Sequence, residues 1–225
     1  MKNDLIDRRQ AVLGPNVPTF YEEPVHLIKG EGVWVWDKDG QRYLDCYNNV
    51  PHVGHCHPHV VEAISVQAQK LNTHTRYLHE GIVDYGERLT AKFQTELNQI
   101  IMVCSGSEAN DIALRMAQAA TGKTGIIATD NTYHGNTMAV SQLSSRKPPI
   151  GGYAANVRHV PAPDTLRPIG GDYKSQANAF AKEIQTAIID LELLGMDFQG
   201  FYFVPPLLMK VCLICQKILW LQPRK

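Results

Sequence analysis

The sequence lacks any excess of charge, because 22 lysine and arginine residues balance 22 aspartate and glutamate residues. A protein that wraps a polyanion or lies on an acidic membrane needs a basic surface, and a neutral chain supplies none. The 225 residues, 44% of them hydrophobic, otherwise have the composition of an ordinary folded domain rather than of a disordered chain. The sequence therefore predicts neither a nucleic-acid nor a membrane partner.

Cysteine and long apolar runs are also scarce. The five cysteines are an odd number, and the chain opens on the polar segment MKNDLIDRRQ, which lacks the apolar core of a secretion signal. The longest apolar stretch, residues 200–215, is interrupted by Pro205, Pro206 and Lys210, so it falls short of the ~20 apolar residues that cross a bilayer. These absences predict a cytoplasmic protein in a reducing compartment, with no membrane-spanning helix and no need of disulfides.

The sequence does contain alternating strand and helix patterns. Apolar and polar residues alternate over 30–45 around Asp39-Gly40, which predicts a β-hairpin. Helices are predicted from Pro58, over 82–97, from Ser105 to Gly122, over 135–143 and over 173–194, and strands at 100–103, 125–129, 157–160 and 201–204. Because strands and helices alternate, the pattern predicts a parallel α/β sheet.

The first candidate site is the segment from Cys104 to Asn110. Within it, Ser105 and Glu108 stand three positions apart, as in a capping box, and so define the start of a helix. Gly106 lets a ligand approach the backbone, and Ser105 and Ser107 add hydroxyl groups. Helix N-termini bind phosphate because free N–H groups and the positive end of the helix dipole coincide there. A capped helix without a ligand has the same pattern, so both interpretations stay open.

The second candidate site, residues 130–136, follows the strand predicted at 125–129. Tyr133 offers a flat ring on which an aromatic cofactor could stack, and His134 is a group that titrates near neutral pH. A loop tyrosine that packs on its own sheet is the commoner case. An anion site and a stacking residue nevertheless follow two consecutive predicted strands, and together they favour a phosphorylated aromatic cofactor.

Three other groups carry weaker signals, and none of them predicts a metal site. The run PHVGHCHPH has zinc-ligand residue types without zinc-ligand spacing; these residues are His52, His55, Cys56, His57 and His59. Cys212 and Cys215 have the spacing of a redox pair but lie in an apolar tail. Arg76 is a candidate anion clamp, although an arginine on the surface or at a subunit contact is the commoner case.

Four blocks, in this order and at these separations, resemble the class III aminotransferases, which use pyridoxal phosphate (PLP): GEGVWVWDKDGQRYLD, GHCHP, SGSEANDIALRMA and YHGNT. The resemblance covers about residues 5–204. It implies an α/β fold, the PLP-dependent transferase fold type I, present incompletely as part of the small domain and the first part of the large domain's mostly parallel sheet. The implied division is a small-domain segment at 1–60, a partial PLP-binding domain at 61–203 and a non-family tail at 204–225.

The resemblance implies a transaminase that acts on a small amine or amino acid and is a homodimer when intact. The runs YNNVPHVGHCHP and LNTHTRYLHEGIVDYGERL look most like the ethanolamine-phosphate phospho-lyase branch, in which the same cofactor supports phosphate elimination. The residues that the resemblance places at the cofactor are Ser105, Gly106 and Ser107 at its phosphate, and Tyr133 stacked on its ring with His134 beside it. It places the segment around Arg76 near the substrate or the partner subunit.

The family's Schiff-base lysine, and the acid that pairs with the pyridine nitrogen, belong to later blocks that this sequence does not match. Lys210, Lys217 and Lys225 are present outside the family's context, and no Asp or Glu follows Asp197. The resemblance therefore implies no catalytic residue in this chain and predicts that the chain is inactive alone. We interpret the tail from about Val204 as sequence foreign to the family, produced by a frameshift or by a misread gene model. The alternatives to an enzyme are a non-catalytic fragment that binds PLP or dimerises, and an unstable fragment.

Overall fold

A computed structural model describes residues 4–47, 51–146, 148–164, 166–172, 174–203 and 213–214. The chain divides into two units, residues 1–83 and 84–225. The first unit contains α1 (Asp4–Leu13), β1 (Leu27–Glu31), β2 (Trp34–Asp37), β3 (Arg42–Leu44) and α2 (Pro58–Lys70), and α3 (Glu80–Thr90) crosses the boundary. The second unit contains α4 (Gly106–Thr121), β4 (Gly125–Thr129), α5 (Met138–Ser141), β5 (Val157–Val160), α6 (Gln176–Leu193), β6 (Phe198–Phe203) and β7 (Leu213–Ile214).

The first unit holds an antiparallel sheet in the order β1-β2-β3. The predicted hairpin is confirmed as β2 and β3, and its turn is held by the Asp37 carboxylate, which accepts from the N–H groups of Asp39 and Gln41 at 3.0 and 2.8 Å. The strand β1 was not predicted, nor was α1. The helix α2 begins at Pro58, as predicted, because proline is tolerated at the first helical position.

The second unit is built on a sheet in the order β5-β4-β6-β7. The central strand β4 runs parallel to both β5 and β6, whereas β7 is antiparallel to β6. All five residues of β4 are buried, which explains why its sequence is continuously apolar rather than alternating. The predicted parallel α/β sheet is thus confirmed, with β4 and β5 at their predicted bounds.

Two apolar clusters form the core of the second unit, and alternate residues of β4 enter them. Ile126 and Ala128 pack with residues of α4 and α5, whereas Ile127 packs with residues of α6. Leu143, Leu191 and Tyr202 are almost completely buried in these clusters. The sheet is therefore covered by helices on both faces, and the loop after β4 leaves the sheet between two packed layers.

The strand predicted at residues 100–103 is wrong. No described strand pairs with this segment, and Ile101 and Met102 are 59% and 44% exposed. An apolar, β-branched run forms a strand only when a neighbour takes up its backbone hydrogen bonds. Consequently α4 does not follow a described strand, and the expectation that both candidate sites stand at strand ends holds only for residues 130–136.

Other boundaries differ less. The helix predicted to end near residue 97 ends at Thr90, the helix predicted over 135–143 is the single turn of α5, and β6 begins at Phe198 rather than at residue 201.

Several residues of the predicted tail lie outside the described residues: Val204, Lys210, Cys212, Cys215, Lys217 and Lys225. The domain division predicted after residue 60 concerns the complete family fold and stays a prediction. Within the described ranges, no helix is both long and apolar enough to cross a membrane.

Candidate functional site

The first turn of α4 is fixed by two reciprocal hydrogen bonds. Ser105 has an extended backbone, and its Oγ accepts from the N–H of Glu108 at 3.2 Å. The Glu108 carboxylate in turn accepts from the N–H of Cys104 at 2.8 Å. The predicted capping box is confirmed, except that the glutamate reaches one residue further back than the cap itself. The start of α4 is therefore a rigid end rather than a frayed one.

Two N–H groups at this end of α4 are free. Within the part of the chain that the structure describes, the N–H groups of Gly106 and Ser107 meet no acceptor. Apart from its chain neighbours and the backbone of its own helix, no described atom lies within 4 Å of the position that a Cβ on Gly106 would take, so the backbone there is open to a ligand. The free donors and the positive end of the helix dipole together favour an anion at this position.

The segment that follows β4, residues 130–136, is called the Tyr133 loop below. Hydrogen bonds hold both sides of one of its residues: the N–H of His134 donates to Ser144 Oγ at 2.9 Å, and its carbonyl accepts from Asn110 Nδ2 at 2.6 Å. A third bond joins the loop to α4, because the N–H of Asn136 donates to Ser107 Oγ at 3.1 Å. The loop is therefore attached to the helix that carries the free N–H groups.

Gly135 allows this attachment. A Cβ at Gly135 would lie 2.6 Å from Ser107 Oγ and 2.9 Å from Ser107 Cα, which is closer than side chains approach. Its φ of +143° is also outside the range that other residues favour. Glycine at this position lets the loop backbone contact the first turn of α4. Ser107 Oγ accepts the bond from Asn136, and its hydroxyl hydrogen stays available.

The two ring residues of the loop differ in exposure. Tyr133 is 38% exposed and offers part of its ring to a ligand, whereas His134 is buried. Burial lowers the pKa of His134 to about 4, and in acid the repulsion from protonated His159 adds to this effect. Its Nε2 has no hydrogen-bond partner among the described residues. At neutral pH His134 is thus an uncharged buried residue, and it acts on the site mainly through its backbone.

His159 lies on β5 beside the loop and is also held uncharged by its surroundings. Burial lowers its pKa, and this effect exceeds the opposing effects of the Asp130 carboxylate and of backbone hydrogen bonds at Leu143 and Gln142. Its ring packs against Tyr153 with the centroids 4.4 Å apart. The imidazoles of His134 in the loop and of His159 beside it are therefore both neutral at neutral pH, and neither places a positive charge there.

The remaining candidates lie in the first unit. Arg76 is exposed, and its N–H donates to His74 Nδ1 at 3.2 Å. His55 Nε2 lies 2.6 Å from Oδ2 of the well-buried Asp45, which gives this histidine a structural partner. Among the described residues, no three or more His, Cys, Asp or Glu side chains are placed to hold a metal ion.

Sequence reasoning placed Asn110 at the end of the first candidate site without giving it a role, and it missed Ser144; these two residues hold His134 from two sides. One signal for Asn110 was available, because it stands one helical turn before the buried Leu114 and shares its face of α4. A polar residue on a buried helix face needs a hydrogen-bond partner. No comparable signal in the sequence points to Ser144.

The model of the family "Aminotransferase class-III" matches residues 19–193 of the chain. The chain belongs to the class III aminotransferase family. Class III aminotransferases use pyridoxal phosphate, so the predicted family and cofactor are confirmed at this level. All four blocks named from the sequence lie within the matched residues, including the two that contain the candidate sites.

Individual relatives agree with this membership. The chain is 40% identical over 167 residues to an alanine–glyoxylate aminotransferase 2-like protein of Drosophila melanogaster. This match covers 72% of this chain and 34% of that protein. It is 33% identical over 170 residues to ethanolamine-phosphate phospho-lyase homolog 1 of Caenorhabditis elegans, covering 74% of this chain and 36% of that one. The chain spans less than half the length of these class III relatives.

Solved structures show the fold. A phospholyase from Arthrobacter, in complex with phosphoethanolamine, superposes with a TM-score of 0.82 at 39% identity, over 89% of this chain and 47% of that one. A taurine:2-oxoglutarate aminotransferase from Bifidobacterium kashiwanohense, in complex with PLP and glutamate, superposes with a TM-score of 0.68 at 19% identity, over 90% and 48%. The predicted fold type I scaffold, present in part, is confirmed.

Proposed function

We propose that this chain supplies the phosphate- and ring-binding part of the PLP site of a transaminase that acts on a small amine or amino acid. The observation that carries the proposal is the bond from the N–H of Asn136 to Ser107 Oγ, 3.1 Å long. It holds the Tyr133 loop against the first turn of α4, where two N–H groups are free. An anion site and a partly exposed aromatic ring thereby belong to one rigid arrangement.

The residues present fit the cofactor. A phosphate needs hydrogen-bond donors in open space, and the N–H groups of Gly106 and Ser107 and the hydroxyl hydrogen of Ser107 provide them. Ser105 Oγ already accepts from Glu108, so its part is to hold this turn in place and to donate its own hydroxyl hydrogen. The exposed part of the Tyr133 ring offers a face on which a pyridine ring can stack.

When bound, PLP supplies an electron sink that stabilises negative charge on the carbon next to the substrate amine. The residues of this chain hold and orient the cofactor. The donors at the start of α4 balance the phosphate charge, and Tyr133 limits the tilt of the ring. Asn110 and Ser144 hold the two peptide groups that flank His134. Its imidazole is buried and uncharged at neutral pH, so it adds no positive charge to the site.

Binding measurements on Gly106 variants test the proposal. Gly106→Pro removes one donor and leaves the helix able to form, since proline is favoured at the first helical position and Ser105 is already extended, with φ −149° and ψ 158°. We expect the affinity for PLP and for inorganic phosphate to fall roughly tenfold or more, as for a lost bond to a charged group. Equilibrium dialysis measures both.

Gly106→Ala is the matched control, because it keeps the N–H and its Cβ would meet no atom within 4 Å. Its affinities should stay close to those of the unaltered protein. Equal PLP binding by the proline and alanine variants, or no PLP binding by the unaltered protein, would contradict the proposal.

Borohydride reduction tests the predicted absence of the Schiff-base lysine. Because Lys210, Lys217 and Lys225 stand outside the family's context in the sequence, we expect dialysis-resistant PLP without a borohydride-stable linkage at a unique lysine. Peptide mapping by mass spectrometry gives the result. One stoichiometrically labelled lysine would show that the chain carries the complete covalent site.

The alternative reaction is elimination of phosphate from a phosphorylated amine such as ethanolamine phosphate. The observation that favours it is the 39% identity and TM-score of 0.82 to the Arthrobacter phospholyase. Phosphate release from ethanolamine phosphate and amino transfer from alanine to glyoxylate, each measured with added PLP, separate the two reactions. Release without transfer supports a phospho-lyase, transfer without release supports a transaminase, and neither supports a non-catalytic PLP-binding chain.

We also propose that the protein forms a homodimer and is cytoplasmic, as the family resemblance and the composition suggest. Sedimentation at several protein concentrations tests the first point. Cell fractionation tests the second, and it matters because the names of two relatives, from Arabidopsis thaliana and Pongo abelii, include the word mitochondrial.

A further inference from the structure

Asn110 makes a contact that neither a capped helix nor a phosphate site requires. It is 8% exposed, on the face of α4 that packs inward, and its Nδ2 donates to the carbonyl of His134 at 2.6 Å. The two residues are 24 positions apart in the chain. The bond therefore joins the helix that carries the free N–H groups to the residue next to Tyr133.

The peptide group on the other side of His134, which joins it to Tyr133, is fixed as well. Ser144, which is 2% exposed, accepts from the N–H of His134 at 2.9 Å. The N–H and the carbonyl of His134 belong to the two peptide groups that flank it, so neither of these peptide groups can rotate without breaking a buried hydrogen bond. Because Tyr133 shares the first of them, the orientation of its backbone is limited as well.

We propose that Asn110 is a positioning residue that sets the aromatic ring of Tyr133 relative to the free N–H groups of Gly106 and Ser107. It acts through the carbonyl of His134 and does not contact the ligand itself. The inference rests on the proposed function, because it assigns Asn110 a part in holding a ligand with both a phosphate group and an aromatic ring.

The proposal separates two kinds of binding. The free N–H groups lie at the start of α4 and are fixed by the Ser105–Glu108 bond, which does not involve Asn110. Loss of the Asn110 bond should therefore leave the affinity for inorganic phosphate unchanged and reduce only the additional affinity that the ring of PLP contributes. A variant that merely destabilised the fold would weaken both ligands in proportion.

The informative variant is Asn110→Asp, which keeps the size and shape of the side chain and replaces the donor by a carboxylate. A matched control is Asn156→Ala, because Asn156 Nδ2 donates to the carbonyl of Thr124 at 2.8 Å in the same unit, just before β4 begins. Asn110→Ala shows whether loss of the donor alone has the same effect.

Equilibrium dialysis with PLP and with inorganic phosphate gives the ratio of the two affinities. We expect this ratio to fall roughly tenfold in Asn110→Asp, and to stay within about twofold of the unaltered value in Asn156→Ala. Tyr133→Ala should lower the ratio to a similar extent, and the double variant of Asn110 and Tyr133 should show no further loss, because both changes remove the same ring contact. An unchanged ratio in Asn110→Asp, or fully additive losses in the double variant, would overturn the inference.

Amide hydrogen exchange provides a readout that needs no ligand. The N–H groups of His134 and Asn136 are hydrogen-bonded, so both should exchange slowly in the unaltered protein and at least tenfold faster in Asn110→Asp. Equal exchange in the two proteins would overturn the inference. If the unaltered protein fails to bind PLP, the proposed function fails, whereas the exchange experiment still decides whether Asn110 holds the loop.

Discussion

The start of α4 and the Tyr133 loop meet at Ser107, but different kinds of hydrogen bond hold them in place. The start of α4 is fixed by bonds between residues three or four positions apart, and it is exposed. The Tyr133 loop is fixed by bonds that span 24, 10 and 29 positions, and two of them are buried. A helix end can thus form from its own sequence, whereas the loop needs the packed sheet around it.

This comparison has a functional meaning. The part of the site that suits a phosphate is determined locally, and it should persist when the surrounding structure loosens. The part that presents the tyrosine ring depends on α4, β4 and the residues after α5 together. Selective loss of ring binding is therefore the expected first result of damage to the second unit.

The largest expected effect is that of Gly135→Ala. Its Cβ would lie 2.6 Å from Ser107 Oγ at a φ of +143°, so contact and backbone strain combine and the free energy of unfolding should fall by about 3 kcal/mol. Urea unfolding measures the change. Gly151→Ala is the control, since its φ is +92° but its Cβ would have no neighbour within 4 Å, and it should lose only about 1 kcal/mol. Equal losses at both positions would show that the contact with Ser107 is not tight.

The dependence of stability on pH is expected to be of comparable size. The pKa of His134 is lowered in the folded chain to about 4 from the ordinary value of 6.5. The unfolded chain therefore takes up this proton first, and the free energy of unfolding should fall as the pH decreases from about 6.5 to about 4, by on the order of 3 kcal/mol. Urea unfolding across this range measures the slope.

His134→Gln should reduce that slope without abolishing it. The pKa of His159 is also lowered by burial, so this second histidine contributes in the same direction. An identical slope in the variant and the unaltered protein would show that His134 is not responsible.

The smallest expected effect is at the start of α4, which is held by hydrogen bonds between residues close in sequence. Ser105→Ala removes the acceptor for the N–H of Glu108 and should cost about 1 kcal/mol in the free energy of unfolding. Ser105→Asn keeps a suitable acceptor and should recover most of it. Because the Tyr133 loop does not depend on this bond, amide exchange at His134 should not change in either variant. Faster exchange there would mean that the two regions are coupled more strongly than their hydrogen bonds indicate.

These differences also explain what could be predicted from the sequence. The capping pair Ser105 and Glu108, the end of α4 at Gly122 and the buried strand β4 all follow from short-range patterns, and the structure confirms them. The roles of Asn110 and Ser144 were missed because their partner lies at least ten positions away in the chain. No spacing rule connects such residues before the fold brings them together.

The incorrect strand at 100–103 has the same cause. An apolar, β-branched run such as Ile100 to Val103 indicates a strand only if another strand lies beside it, and sequence patterning carries no information about that neighbour. In the described sheet the neighbours of β4 are β5 and β6, so the run has no place between them. The incorrect strand does not affect the proposed anion site, because the start of α4 is fixed by its own cap.

The central position of β4 also governs the order in which this unit can assemble during translation. β4 is complete at Thr129, but its two parallel neighbours begin only at Val157 and Phe198. A strand that pairs only with later segments emerges from the ribosome before either neighbour exists, and its five apolar or small residues stay exposed to other chains during that interval. The speed of synthesis between residues 129 and 198 should therefore influence how much of the protein reaches the native sheet.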